Sequence, residues 1–155
     1  MSLLYPLSCL ALSQSSSFLA LGLIQGSVII FDIPLKQEKY YLDKHQAEVT
    51  HLVFCDDWRL VSGAFDGSVH IYDILESGKI VMKRTNQFRR GTVSLEAYQQ
   101  NAKLRGEWGI VGLGVSNSGV AVAIDGQHEV RLYDVWHGEK IAKLNAQQVM
   151  DDKIR

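Results

Sequence analysis

"LVSGAFDGSVHIYDI", residues 60–74, holds two runs rich in β-branched and aromatic residues, separated by Phe65-Asp66-Gly67. Short apolar runs joined at an Asp-Gly pair read as the two strands of a hairpin. A hairpin alone needs neither the aspartate at its turn, Asp66, nor the aromatic–aspartate pair, Tyr72-Asp73, that closes its second strand. The closing pair recurs along the chain. "GSVIIFDI" (26–33), "GSVHIYDI" (67–74) and "HEVRLYDV" (128–135) all read Val, any residue, Ile or Leu, aromatic, Asp, then Ile or Val. Their aromatics stand at 31, 72 and 133. The spacing defines a unit of about forty residues, with roughly twenty more inserted before the third pair.

Each unit breaks into four strand-like runs. Before the turns come "FLALGLI" (18–24), "RLVSGAF" (59–65) and "GVAVAI" (119–124), and before those "SCLALS" (8–13), "VTHLVF" (49–54) and "GIVGLGV" (109–115). After the aromatic–Asp strands come "EKYYLDK" (38–44), "KIVMKRT" (79–85) and "EKIAKLN" (139–145). Many runs are apolar at consecutive positions, as expected of sheets covered on both faces. The expected fold is all-β: three four-stranded antiparallel units spanning 7–44, 45–86 and 109–146, a basic insertion over 83–108 and a polar tail over 147–155.

The stretch 45–74 resembles a WD40 repeat, whose units are the blades of a β-propeller. His45 stands where that family places the His of its Gly-His pair, with Lys44 replacing the Gly, and Tyr72-Asp73 replaces Trp-Asp. "VTHLVF" resembles the innermost strand, and Ser62 and Asp66 match the strand and turn positions. The resemblance implies a buried network in which Asp66 accepts a hydrogen bond from His45. His45 in turn bonds Ser62, and Ser62 reaches toward Tyr72. Such a network ties the loop entering the blade to a hairpin two strands away. Asp66 is therefore expected to be structural. The flanking units lack it: the turn and strand positions are Gln25 and Leu21 in the first, Gln127 and Ala123 in the third. The likeness spans nearly the whole chain, but its specific residues lie in the middle unit.

A closed propeller takes about four to eight blades. Three units leave two raw blade faces, so Leu19, Leu21, Ile29, Leu132 and Ile141 are expected to be more exposed than in a closed ring. The chain then reads as a truncated isoform or fragment of a larger WD-repeat protein, or as one that self-associates.

Composition excludes few classes. The 155 residues, 46% hydrophobic and 21% charged, suit one globular domain. The net charge of −1 gives no global attraction to nucleic acid or anionic membrane. Between Lys79 and Glu107, however, seven Lys/Arg face two Glu. Cys9 and Cys55 lack CxxC spacing and read as buried or half-buried thiols in a reducing compartment, a disulfide or metal site being the alternative. The apolar N-terminus lacks the basic flank of a signal peptide, since the first Lys or Arg is Lys36. An intracellular, cytoplasmic placement follows. "GIVGLGVSNSGVAVAI" (109–124) tempts a dinucleotide-loop reading, but a strand rather than a helix follows its glycines, and "SNSG" (116–119) resembles the turn joining the first two strands of such blades. Adjacent acids Asp56-Asp57 read as solvated turn residues. No catalytic residue, metal or cofactor is expected.

What remains is protein binding. In the WD40 family, residues beside the turn aspartate and just after the loop histidine point to the narrow face of the propeller, here Phe65, Glu48 and Thr50. Phe65 is either a hot-spot anchor or packed under a neighbouring loop. Arg89 and Arg90, with Phe88, Tyr98 and Trp108 interleaved, offer a second surface for an acidic partner or nucleic acid. The reading is a scaffold for other proteins. A nucleotide-binding enzyme using 109–119 is the remote alternative.

Overall fold

The computed structural model describes residues 6–74, 80–87 and 109–145. They form twelve strands in three four-stranded antiparallel sheets, each laid down in chain order. Blade 1 holds β1 (Leu7–Leu12), β2 (Phe18–Leu23), β3 (Ser27–Asp32) and β4 (Gln37–Asp43). Blade 2 holds β5 (Val49–Phe54), β6 (Arg59–Ala64), β7 (Ser68–Ile74) and β8 (Ile80–Gln87). Blade 3 holds β9 (Ile110–Val115), β10 (Val120–Asp125), β11 (Glu129–Asp134) and β12 (Glu139–Asn145). The described residues contain no helix long and apolar enough to cross a membrane.

Every expected strand is present. β8 runs to Gln87, one residue past the end expected for the second unit. The reason is pairing: β7 extends back to Ser68, and its ladder is completed by His70 opposite Thr85 and Ser68 opposite Gln87.

Two irregularities repeat in each blade. In the innermost strand one residue bulges out of register, Ser8 in β1, Thr50 in β5 and Val111 in β9. In the outermost strand another bulges beside the partner of the closing aromatic, Lys39, Lys83 and Ile141. Such bulges bend the strand and increase its twist, as a blade must twist to stack on its neighbours.

The core lies between sheets. Phe18, Ala20, Val28 and Ile30 of blade 1 pack with Leu52, Leu60, Tyr72 and Ile74 of blade 2. Val61, Val69 and Ile71 on the opposite face of blade 2 pack with Ile110, Ala121, Ala123, Tyr133 and Val135 of blade 3. β7 is therefore buried at all seven positions, whereas β11 alternates between buried and half-buried. Consecutive apolar residues in the sequence report sheets covered on both faces.

The outer faces depart from expectation in part. Ile141 is exposed, and Leu19 and Leu132 are half-buried, but Leu21 and Ile29 are only 6% and 3% exposed. They occupy the two central strands of blade 1 and cluster with Leu23 and Leu19. Cross-strand register places the row Leu10, Leu21, Ile29, Tyr41 along this face. Its flanking members are the exposed ones, Leu10 at 62% and Tyr41 at 54%, because neighbours on both sides cover a central-strand residue.

Candidate functional site

The end of blade 2 where β6 turns into β7 carries the specific residues of the sequence. The turn is tight, closed by the Gly67 amide donating to the Ala64 carbonyl at 3.1 Å, with Gly67 at a φ of 78°. Asp66 projects from it. Its Oδ2 accepts from the Gln46 amide at 2.8 Å, fastening the loop between blades 1 and 2, and its Oδ1 accepts from the Ser68 amide at 2.9 Å and from the Ser68 hydroxyl. Asp66, His45, Ser62 and Ser68 are all buried.

His45 lies over the sheet with both ring nitrogens engaged, Nε2 with Ser62 Oγ and Nδ1 with Ser68 Oγ, each at 2.6 Å. The bond to Ser62 is the one the family resemblance implies. The direct bond to Asp66 is not made: Nδ1 stands 3.9 Å from Oδ1, because the Ser68 hydroxyl sits between them. Proton placement follows from the chain of donors. Ser68 spends its hydrogen on Asp66, so its oxygen accepts from His45 Nδ1–H. Burial, with the His70 ring beside it, holds the His45 pKa well below the usual imidazole range. The ring is therefore neutral, and its Nε2 accepts from Ser62.

Two further features are absent from the family pattern as read. His70, also buried, lies against His45 with ring centroids 4.1 Å apart and the planes tilted by 43°. Its own pKa is pulled down to about 4, chiefly by burial and against the opposing Asp66 charge. The Tyr72 hydroxyl lies near Ser62 but outside hydrogen-bond geometry with the described residues, so the last implied link is missing. A phenol does not present its donor where an indole would.

The flanking blades fill the same corner with other chemistry. In blade 1, Ser27 occupies the Ser68 position and bonds Gln25 Nε2 at 2.9 Å, the Tyr41 hydroxyl at 2.7 Å and Asp43 at 3.2 Å. In blade 3, Asp125 accepts from the Gln127 and Glu129 amides. Glu129 and Arg131 stand where blade 2 has Ser68 and His70, and they form a buried ion pair at 2.8 Å with Lys143 3.2 Å from Glu129. The sequence pattern carried the signal: Glu129, Arg131 and Tyr133 alternate along one side of a strand whose aromatic was already assigned to the core.

Of the surface candidates, Phe65 and Glu48 are half-buried on the rim beside Asp66, tied together by the Phe65 amide donating to the Glu48 carbonyl at 2.9 Å. Lys44, Gln46, Gln127 and His128 are exposed. Thr50 is turned inward. Its hydroxyl donates to the Ile110 carbonyl of blade 3 at 2.9 Å and approaches that of Gly63 at 3.2 Å. Arg89 and Arg90, like Phe88, Tyr98 and Trp108, lie outside the described residues.

The remaining candidates take structural places. Gly112 and Gly114 lie inside β9, and 116–119 is the turn into β10. Cys9 and Cys55 are unpaired thiols at the two junctions between blades, near the carbonyls of Val49 and Ser116. Burial pushes both upward in pKa. Asp57 is no free surface acid: it accepts from the Ser15 amide of blade 1 at 2.7 Å. Asp56 caps the Trp58 amide and pairs with Arg59, whose guanidinium lies 4.3 Å over the Trp136 ring of blade 3. Among the described residues no group of three His, Cys, Asp or Glu is placed to hold a metal ion.

No protein-family model matches the sequence, and no curated protein matches it. Solved structures do match. A chain of the mitotic checkpoint complex superposes with a TM-score of 0.65 at 20% identity, over 90% of this chain and 38% of that one. The RRP9 WD40 repeats superpose with a TM-score of 0.61 at 19% identity, over 86% of this chain and 35% of theirs. The computationally designed Ika4 protein gives 0.66 at 26% identity, over 93% of this chain and 75% of that one. The chain thus spans little more than a third of the first and of the RRP9 repeats.

Proposed function

We propose, from the premise that the three sheets are WD40 propeller blades, that the chain is a protein-interaction scaffold without catalytic chemistry of its own. One observation carries this reading. The residues that look most chemical, His45, Ser62, Ser68 and Asp66, are buried and spend their hydrogen-bonding capacity on one another and on the backbone. A neutral histidine locked between two serines holds a rim in place, and what the rim offers to solvent is Phe65 beside Glu48. An aromatic on a rigid, otherwise polar edge is the residue type that anchors protein interfaces.

The similarity to a chain of the mitotic checkpoint complex, itself an assembly, supports protein partners in general. The two unpaired thiols suit a reducing, intracellular setting. The test is a quantitative affinity capture with wild-type protein and a Phe65→Asp variant, each checked for folding by circular dichroism. Partners recovered by wild type and lost by the folded variant support the rim as the docking site. An unchanged set of partners removes Phe65 from it.

A further inference from the structure

β6 runs from Trp58 at one end of blade 2 to Phe65 at the other, and at the Trp58 end one backbone contact repeats in all three blades. The carbonyl of the residue leading into the second strand accepts from the amide that follows the aromatic–aspartate pair. Ser17 accepts from Ile33 at 3.0 Å, Trp58 from Ile74 at 2.7 Å and Gly119 from Val135 at 2.8 Å. The framework uses only backbone there, so a serine or a glycine serves it as well as a tryptophan. Blade 2 nevertheless carries an indole, 44% exposed. This is not the exposure of an outer face. Phe18 of blade 1 stands edge-on to Trp58 with ring centroids 6.0 Å apart, and the adjacent Arg59 lies over Trp136 of blade 3, so both neighbouring blades are in place.

The backbone beneath the indole is fixed at both groups, since the Trp58 amide also donates to Asp56 Oδ1 at 2.8 Å. Asp57 leans toward blade 1 as Trp58 does, its Oδ1 on the Ser15 amide at 2.7 Å. That bond, with the hydroxyls of Ser15 and Ser13, holds the Asp57 carboxyl below its usual pKa, so it is ionised. Among the described residues it has no cation of its own. The nearby cations are engaged elsewhere: Arg59 with Asp56 at 2.9 Å and Asp73 at 3.6 Å, Lys39 with Asp32 at 3.7 Å and over the Phe18 ring. An exposed indole beside an unneutralised carboxylate attracts a cation on both counts.

We propose that Trp58 and Asp57 form a docking point for an arginine side chain presented by a partner protein, at the opposite end of β6 from the Phe65 rim and independent of it. The argument for the occupant is charge complementarity. A guanidinium suits the pair better than an ammonium, because its plane lies on an aromatic face while its edge donates to a carboxylate. Asp57 Oδ1 is spent on Ser15, which leaves Oδ2 for that bond. A turn already fixed in place loses little freedom on binding. Nucleic acid is the wrong partner for this surface, since its phosphates would meet the Asp57 charge.

The probe is a fluorescein-labelled peptide of Gly-Arg-Gly repeats, its anisotropy followed against the full chain at low salt, with norleucine in place of arginine as the control. Wild type should bind the arginine peptide about tenfold more tightly than the norleucine peptide. Trp58→Ser installs the blade 1 residue and changes no charge, so a loss of binding there cannot be general electrostatics. Asp57→Asn keeps an acceptor for the Ser15 amide. Each should weaken binding about tenfold, whereas Phe65→Asp should leave it unchanged. Equal binding of the two peptides, or wild-type affinity in folded Trp58→Ser, overturns the proposal. If Trp58→Ser fails to fold, Asp57→Asn decides, and wild-type affinity there overturns it equally. A loss in Phe65→Asp would put the peptide on the rim and overturn the site proposed.

Discussion

At the scale of single residues, the middle blade turns on a neutral imidazole that is kept from protonating. His45 donates through Nδ1 to Ser68 and accepts at Nε2 from Ser62, so replacing it by alanine takes the acceptor from the buried Ser62 hydroxyl and a donor from Ser68, which keeps its bond to Asp66. His45→Ala or Asp66→Ala should cost about 1–3 kcal/mol in a urea titration. Gln25→Ala should cost far less, since Ser27 keeps its bonds to Tyr41 and Asp43; equal losses would contradict the difference between blades. Protonation acts on the same rings. His45 and His70 are held below the ordinary range, His70 at about 4, largely by burial. An unfolded chain binds protons at its histidines near pH 6.5, so below that the unfolded state holds more protons than the folded one. The His70 contribution is complete above about pH 6.5 and is lost as the pH falls toward about 4, worth about 3 kcal/mol, and His45 acts in the same direction. Urea midpoints should drop between pH 7 and pH 5, and His70→Phe should flatten that slope. A variant with the wild-type slope would take His70 out of the account.

Elements obey a second set of constraints, set by how closely neighbouring sheets approach. Gly119 takes a φ of 86°, and a side chain there runs into the Trp136 indole, whose Nε1 donates to the Ser118 carbonyl at 3.0 Å. Gly119→Ala should therefore cost about 1–3 kcal/mol. Gly112→Ala, with its nearest neighbour at 3.8 Å, should stay within about 0.5 kcal/mol of wild type. Thermal melts of the two variants separate a turn that needs glycine from a strand that tolerates it. In blade 3, Arg131→Ala removes one partner of a buried ion pair, and the loss should be about 3 kcal/mol. The strands themselves were legible: β-branched runs, punctuated by Ser-Asn-Gly-Asp turns and closed by an aromatic–Asp pair, located all twelve to within a few residues. His45 and Ser62 were legible as partners through the resemblance of 45–74 to a WD40 repeat. The Ser68 relay was not, because a serine after glycine reads only as turn chemistry until coordinates put its hydroxyl between His45 and Asp66. Nor was the inward turn of Thr50, since a one-residue bulge shifts the face of everything beyond it. The Glu129–Arg131 pair went unread although both alternate with the core residue Tyr133, because charged residues in a strand read first as its solvent side.

For the whole molecule, stability is a sum over blades and the junctions between neighbours, as in any stacked repeat. Blade 2 has a junction on each side, whereas blades 1 and 3 have one each among the described residues. Burial of the third strands follows this order, from β7, buried at all seven positions, to β3, buried at five of six, and β11, buried at alternate positions. Opening an outer blade breaks one junction. Opening blade 2 breaks both, together with the His45 network. Amide exchange should therefore be slowest in β6 and β7 and faster in the outer blades. The two junctions also differ in kind. That between blades 1 and 2 buries Phe18 edge-on to Trp58 with ring centroids 6.0 Å apart, while that between blades 2 and 3 adds the Arg59–Trp136 contact over an alanine-lined face. Alanines 121 and 123 bury less apolar surface than Phe18 and Ile30 opposite blade 2. Blade 3 should then detach first under urea, with β9–β12 exchanging below the concentration at which β5–β8 open. Exchange that collapses in all three sheets at one urea concentration would mean a single cooperative body, and nearest-neighbour bookkeeping would not apply.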